Sequence, residues 1–505
     1  MRALLYLGLA LAVTGQAIAA EPERSAMVMA PLSFMQKGCK DYGSPGCLIK
    51  PETLKKFDNL LQEAEKAGVM AVSVDIWWRL VDPKGTGELN WDYYDQIFDR
   101  IRAKKTLRIA PILSFHRCGN GPNDECDFPI PDWIWTRFQP GLDIKELHYE
   151  SETGKKLDVA LPPWVAANPQ VREGMTRFIA GFREHYKCRA ADFVEINISL
   201  GPNGELRYPS YEKSDGWAYP DRGNFQAYSR LAQEAFRKWA LEDRDLKALN
   251  DRWGLSMKDD GEIRPPNGEY PGGDGALRRA NDFVGNKDYD RPYGQDFIDW
   301  YNFTLVKHGR DLLLAADKKL DGPMKSVPLG MKIPGIHWQI ACTGAPRIAE
   351  IAAGLLQTSL KGDIAVKKGA YGYKAIFDMV KDVQKEAGRP VNLHFTALEM
   401  TNASCPSSDS SHGTSRPEDL VQWIAESGEE WQLNYRGENA SCFQSWDKVY
   451  AAFHKGYQGF NLLRLVDAEF FTLTGFNADC KEPWMPVKEG YKTFIDTCIT
   501  KACRH

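Results

Sequence analysis

Apolar, β-branched runs alternate along the chain with amphipathic stretches. Eight runs are strand candidates, at residues 26–34, 69–78, 107–116, 193–200, 327–334, 391–400, 431–438 and 459–466. The segments between them carry helical periodicity. In 53–66, Leu54, Phe57, Leu60, Leu61 and Ala64 recur at three- to four-residue spacing. Val171, Met175, Phe178, Ile179 and Phe182 do the same in 171–186. Ser415-Arg416-Pro417-Glu418 reads as a capping box with proline in the first turn, opening a helix with Leu420, Val421 and Ile424. Eight strands separated by helices predict an α/β fold, a (β/α)8 TIM barrel, with an open doubly wound sheet as the alternative. Two long insertions, at about 117–165 and 201–290, follow the third and fourth strands and are rich in Gly, Pro, Trp and Tyr. Segments after barrel strands build the active-site face, so these loops are expected to wall a deep pocket.

Composition narrows the function. A formal net charge of −4 argues against a nucleic-acid partner or an anionic membrane surface, both of which select clustered Lys and Arg. The 15 Trp, 20 Tyr and 23 Phe offer flat faces on which sugar rings stack, although a large enzyme also buries many aromatics in its core. The chain opens with Met1-Arg2, an apolar run from Leu4 to Val13 and the small-x-small pattern Ala17-Ile18-Ala19. Residues 1–20 are therefore expected to be a cleaved signal peptide, too short for a permanent anchor, leaving a secreted or periplasmic protein with no membrane attachment. Residues 21–505 are expected to form one catalytic domain, with 470–505 as a C-terminal tail. Export permits disulfides. Among 11 cysteines, Cys39/Cys47 and Cys118/Cys126 are close pairs that could each close a short loop, and Cys480, Cys498 and Cys503 cluster at the end. The lack of a Cys-x-x-Cys pair weakens a zinc or thiol-redox reading.

Polar side chains gather where the strand candidates end. Asp75 precedes Trp77 and Trp78, His116 closes the third run, and Glu205 follows the fourth. Lys332 and His337 surround the end of the fifth, Thr396 and Glu399 lie near the end of the sixth, Glu438 ends the seventh and Arg464 lies in the eighth. Singly, each reads as well as a helix cap or salt-bridge partner. Together around one barrel mouth they point to chemistry. Two carboxylates across such a pocket suggest glycoside hydrolysis, where one group protonates the leaving oxygen and the other activates water or attacks directly. Neither a Gly-x-Ser-x-Gly elbow nor a Walker-type loop supports a serine nucleophile or a phosphate-binding enzyme.

At these residues the sequence resembles the β-amylases, glycoside hydrolase family 14. The blocks are SVDIWW (73–78), SFHRCG (114–119), FPIPDW (128–133), GELRYPSY (204–211), KIPGIHWQ (332–339), FTALEM (395–400), RGENA (436–440) and LLRL (462–465), in the family's order. His337-Trp338-Gln339 is more similar to the bacterial than to the plant branch. The resemblance implies an exo-acting, inverting hydrolase that releases β-maltose from the non-reducing ends of α-1,4-glucans or maltodextrins; the protein is expected to be a monomer. It implies Glu205 as general acid and Glu438 as general base. It implies glucose contacts from Asp75, His116, Asp124, Lys332, His337, Thr396, Asn439, Ala440 and Arg464. Asp124 matches the family's mobile lid and Thr396 its inner loop. A general acid must be protonated near neutral pH, so the pKa of Glu205 is expected to be raised by burial. Inversion needs room for water, so the two carboxyls are expected about 6.5–9.5 Å apart.

Several departures from the family pattern bear on specificity. The lid carries Pro122, which is expected to stiffen it, and Ser441-Cys442 replaces the usual Leu-Pro after Ala440. Bacterial relatives hold calcium after the second strand. The matching run here, Asp82 to Gly87, keeps one acidic residue but has Thr86 and Gly87 in place of the later ligands, so no metal and no cofactor is expected. No counterpart of the family's appended starch-binding module is expected, which favours soluble dextrins. The alternatives are a catalytically silent glucan-binding or sensing protein on the same fold, or a related glycosidase with a shifted substrate.

Overall fold

The structure is a computed structural model that describes residues 24–44, 46–119, 124, 126–138, 143–266, 288–340, 347–357, 373–398, 400–404, 414–439, 446–465 and 487–500. Its strands are β1 (Ser25–Met29), β2 (Ala71–Trp77), β3 (Arg108–Ser114), β4 (Tyr149–Glu150), β5 (Lys156–Leu157), β6 (Ile196–Ile198), β7 (Leu329–Ile333), β8 (Val391–Phe395), β9 (Tyr435–Asn439) and β10 (Gly459–Arg464). All but β4 and β5 close into one parallel barrel, in the order β1-β10-β9-β8-β7-β6-β3-β2. Neighbours in the barrel are thus successive barrel strands in the chain, as short right-handed βα connections require. The predicted (β/α)8 barrel is what forms, and each barrel strand overlaps its candidate run. The strands are shorter than the runs because apolar character marks burial, not pairing. Trp78, for example, is fully buried but already begins a short helix, Trp78–Val81. The antiparallel ribbon β4-β5 lies within the first insertion and has no clear signature in the sequence.

The covering helices are α1 (Pro51–Lys66), α2 (Asp92–Arg102), α3 (Pro169–Tyr186), α4 (Pro292–Lys319), α5 (Lys374–Ala387), α6 (Pro417–Trp431), α7 (Trp446–His454) and α8 (Val487–Phe494). The periodic residues of α1 and α3 are the ones they bury. Helix α8 comes from the segment expected as a tail. Tyr491 and Phe494 are fully buried there, and the Tyr491 hydroxyl donates to the Met27 carbonyl of β1 at 2.5 Å. Much of the aromatic content is likewise core. Tyr208, in the second insertion, stacks on Tyr301 of α4 at 3.8 Å between ring centroids, which fastens that insertion to the barrel wall. Among the described residues no helix is long and apolar enough to cross a membrane.

The capping box at α6 does not form. Pro417 does open the helix, but its N-cap is Arg416 and has no side-chain cap bond. The Ser415 hydroxyl instead meets His337 Nδ1 at 2.7 Å. Asn402 takes over the reciprocal bonding, accepting from the Glu418 amide at 3.0 Å while Glu418 Oε2 accepts from the Asn402 amide at 3.1 Å. A local motif competed with a contact from a distant loop, and the loop won because Ser415 is drawn to the histidine.

Helix α6 crosses β9 where Gly428 lies on the ring of Tyr435. A methyl group at Gly428 would fall 2.0 Å from Tyr435 Cδ1. Gly428→Ala should therefore lower stability by about 1–3 kcal/mol despite alanine's better helix propensity. Thermal unfolding measures this, and an unchanged midpoint would show that the helix can move away from the strand without loss.

Candidate active site

The loop after β6 folds back on itself to present Glu205. Asn203 and Gly204 adopt positive φ, 55° and 82°, and the Leu206 amide then donates to the Lys332 carbonyl at 2.8 Å. That bond pairs Glu205 with Lys332 across to β7. Gly201 is required by the fold-back, because a Cβ there would lie 2.5 Å from the Glu205 carbonyl oxygen. Arg207, fully buried, donates from Nε to Glu205 Oε2 at 2.8 Å, and the Tyr211 hydroxyl donates to the same oxygen at 3.3 Å. The Arg207 guanidinium lies 4.1 Å from the centroid of the Tyr211 ring. Burial raises the Glu205 pKa above the ordinary carboxyl value, the Arg207 and Lys332 charges oppose that rise, and the nearby Glu438 charge adds to it. The expected elevation is present, with burial as its main cause.

Glu438 stands on β9. The Lys332 ammonium contacts its Oε1, and Asn461 Nδ2 donates to its Oε2 at 3.4 Å. Burial alone would lower the Lys332 pKa, but Glu438 and Asp75 more than offset it, so Lys332 is held protonated. One residue therefore joins the two glutamates, by its backbone to the Glu205 segment and by its charge to Glu438.

Several of the remaining predicted residues stand at the C-terminal ends of the barrel strands or just beyond them. Ser114 at the end of β3 donates to Asp75 Oδ1 at 2.8 Å. His116 lies with Nδ1 2.7 Å from the Ser199 hydroxyl and its ring edge-on to Trp77. Thr396 Oγ1 accepts from the Gly335 amide at 2.6 Å. A Cβ at Gly335 would lie 2.8 Å from Thr396 Oγ1, so the two loops meet only because glycine is there. His337 is buried beside an aromatic wall in which Trp338 meets Tyr211 at 5.1 Å and Trp217 at 5.4 Å. The indole nitrogens of Trp217 and Trp338 both donate to the Asp221 carbonyl. The second insertion thus supplies part of the pocket wall, as its position predicted. Arg464 ends β10, and Asn439 follows Glu438 on β9. Asp124 sits on the loop closed by the Cys118–Cys126 disulfide, its carboxylate accepting from the Gly119 amide at 3.2 Å. Ala440, Pro122, Glu399 and Ser441 lie outside the described residues.

Two other expectations meet the structure here. Cys39 and Cys47 form the second disulfide, while Cys480 and Cys503 of the terminal cluster lie outside the described residues. Asp82 is fully buried, with Oδ2 2.9 Å from Arg177 Nη2 and Oδ1 accepting from the Gly85 amide at 2.9 Å. Both of its oxygens are engaged by the chain itself.

Sequence reasoning missed Arg207 and Tyr211, although both lie inside a quoted block. The signal was available, since a buried acid must meet polar partners and these were the nearest in the chain. It also missed Asn461 and Ser199, which reach the site from strand segments read only as apolar.

A family model described as glycosyl hydrolase family 14 matches residues 27–478. A protein named beta-amylase from Niallia circulans is 32% identical over 430 residues, covering 83% of this chain and 66% of that protein. A beta-amylase from Cytobacillus firmus is 32% identical over 428 residues, covering 83% and 81% respectively. The crystal structure of the catalytic domain of a beta-amylase from Paenibacillus polymyxa superposes with a TM-score of 0.73 at 28% identity, covering 95% of this chain and 98% of that one.

The buried histidines give the folded protein a defined response to acid. Burial pushes His116, His308 and His337 down to about 4. An unfolded chain begins to bind protons at histidine near pH 6.5. The unfolded state therefore holds more protons between these values, and stability should fall as pH drops from about 6.5 towards 4. His308 lies in α4 with Nε2 3.0 Å from the Leu200 carbonyl, a contact that a glutamine amide can keep. Denaturant midpoints across that range should decline, and His308→Gln should remove about one proton from the slope. An identical slope in the variant would show that His308 is charged in the folded state.

Proposed function

The chain belongs to glycosyl hydrolase family 14, and from that premise we propose that it is an exo-acting, inverting hydrolase of α-1,4-glucosidic bonds that releases β-maltose from the non-reducing ends of starch-like chains. The observation that carries this reading is the contrast between two carboxyl groups at one barrel mouth. Glu205 is largely buried, with its pKa raised, and suits a proton donor to the glycosidic oxygen. Glu438 faces the ammonium of Lys332, the charge partner that a carboxylate in a dry site requires, and suits activation of a water molecule. Proton donation and water attack then occur on opposite faces of the sugar ring, and the anomeric centre inverts.

Around this pair, Asp75, His116, Asp124, Lys332, His337, Thr396, Asn439, Ala440 and Arg464 bind the glucose units. His116 and His337 are neutral hydrogen-bonding groups at working pH, since burial holds both down to about 4. Trp338 and Tyr211 offer ring faces beside His337. No metal enters the reaction. The two disulfides support an exported protein, in keeping with the expected signal segment. A silent glucan-binding protein is less well supported, because binding alone does not call for Glu438 opposite Glu205.

Soluble starch or maltoheptaose followed by proton NMR from the first turnover tests the reading. The expected first product is β-maltose; α-maltose, glucose alone or no product would sink it. Glu205→Gln and Glu438→Gln should each lower kcat by roughly 10^2- to 10^4-fold while maltotetraose binding, measured by calorimetry, is largely kept. Turnover near wild type in either variant would remove that residue from its role.

A further inference from the structure

Beneath Glu438 the inside of the barrel is polar. Barrel interiors of this kind are ordinarily filled by branched apolar side chains. Here Glu195, Asn197, Asn392, His394 and Arg436 are all buried, and Glu195 and Asn392 are fully so. Asn197 Nδ2 donates to Glu195 Oε1 at 2.9 Å, Asn392 Nδ2 donates to Oε2 at 2.5 Å, and Arg436 Nη1 lies 3.4 Å from Oε2. His394 Nε2 lies 2.8 Å from Glu195 Oε1, while Nδ1 on the other side of the ring lies 3.6 Å from Glu438 Oε2. Gly330 on β7 leaves the room, since a Cβ there would fall 2.1 Å from Asn197 Oδ1. Burial by itself would push the Glu195 carboxyl up, but the charges of His394 and Arg436 and the surrounding bonds hold it well below the usual range. Such a cluster is no more stabilising than a well-packed apolar fill, so stability does not account for it.

We propose that Glu195 and His394 are positioning residues for Glu438: Glu195 fixes the imidazole, and the imidazole fixes Oε2 of the glutamate. This rests on the assignment of Glu438 as general base. The carboxylate is then surrounded by Lys332 from β7 on Oε1, with His394 from β8 and Asn461 from β10 on Oε2. Across the mouth its charge acts on the Glu205 carboxyl, and below His394 lie Glu195 and Arg436. Lys332 and Asn461 bond its two oxygens, and the imidazole edge 3.6 Å from Oε2 packs beside them as a close polar contact that restricts the carboxylate's rotation. A group held in its productive geometry avoids the large rate loss that a small displacement brings.

Two replacements of the histidine separate its two sides. The amide nitrogen of asparagine stands near Nδ1, and that of glutamine stands near Nε2. His394→Gln should lower kcat on maltodextrin about 10- to 100-fold with KM within about threefold, the loss seen when the partner that orients a metal ligand is removed. His394→Asn, which keeps a group facing Glu438, should retain more activity than His394→Gln. Glu195→Gln should lower kcat similarly and move the acidic limb of the kcat–pH profile, and the double variant Glu195→Gln/His394→Gln should be no worse than the poorer single one. If the histidine variants do not fold, the isosteric Glu195→Gln decides alone. A kcat within threefold of wild type in folded His394→Gln or Glu195→Gln overturns the proposal, as do equal losses in Asn and Gln that merely follow thermal stability. Glu438→Gln, assayed in parallel, separates the two readings. If it is inactive while His394→Gln is normal, the positioning role alone fails; if it turns over normally, the assignment of Glu438 fails and the positioning role with it.

Discussion

Lys332 is bound to both halves of the site by different means. Its carbonyl accepts from Leu206 and so fixes the loop that carries Glu205, and its ammonium meets Glu438 on β9. The backbone bond is insensitive to charge, and the ion pair is insensitive to the loop. Because both originate on one residue of β7, the separation of the two glutamates is set by the barrel rather than by either side chain's freedom. The cross-strand register supports this: Lys332 pairs with His394 of β8, and Phe395 beside it pairs with Gly437, the residue before Glu438.

Electrostatics follow from that arrangement. A buried cation beside two carboxyls would force both to ionise if it were shared equally. Its ammonium instead makes its contact with Glu438, while Glu205 takes its partners from Arg207 and Tyr211. At Glu205 burial outweighs the opposing charges of Arg207 and Lys332, so its carboxyl stays raised. The neutral histidines His116 and His337 add hydrogen-bonding capacity without adding charge that would disturb this division.

The barrel was legible because each strand is an apolar run in chain order, and the site because polar residues interrupt those runs at their ends. What stayed hidden depended on three-dimensional pairing. Asn402 bonds α6 from a loop whose approach no local pattern shows, and the capping box at Ser415 was the plausible but wrong local solution. Glu195, Asn197, Asn392 and His394 were hidden inside runs read for their apolar character. They point to one another only once the register aligns Asn197 with Gly330 and Gly330 with Asn392. Arg207 and Tyr211 lay in plain view, but which of several polar neighbours meets Glu205 is decided by the fold-back at Gly201–Gly204.

Backbone strain gathers around the same mouth. Among the described residues, five that are not glycine have positive φ: Asn203, Gln339, Ala397, Gln432 and Leu463. Gln432 ends α6, an ordinary place for a left-handed residue. The other four each lie within two residues of a site residue: Asn203 near Glu205, Gln339 near His337, Ala397 beside Thr396 and Leu463 beside Arg464. Each such conformation costs on the order of 1–3 kcal/mol and persists only where the surroundings over-determine it. A closed barrel does so, because no strand can shift to relieve one bend without breaking the ladder on both sides. The strain and the polar interior are therefore two expressions of the same dependence: the mouth can hold unfavourable geometry because the parallel ladder beneath it closes on itself.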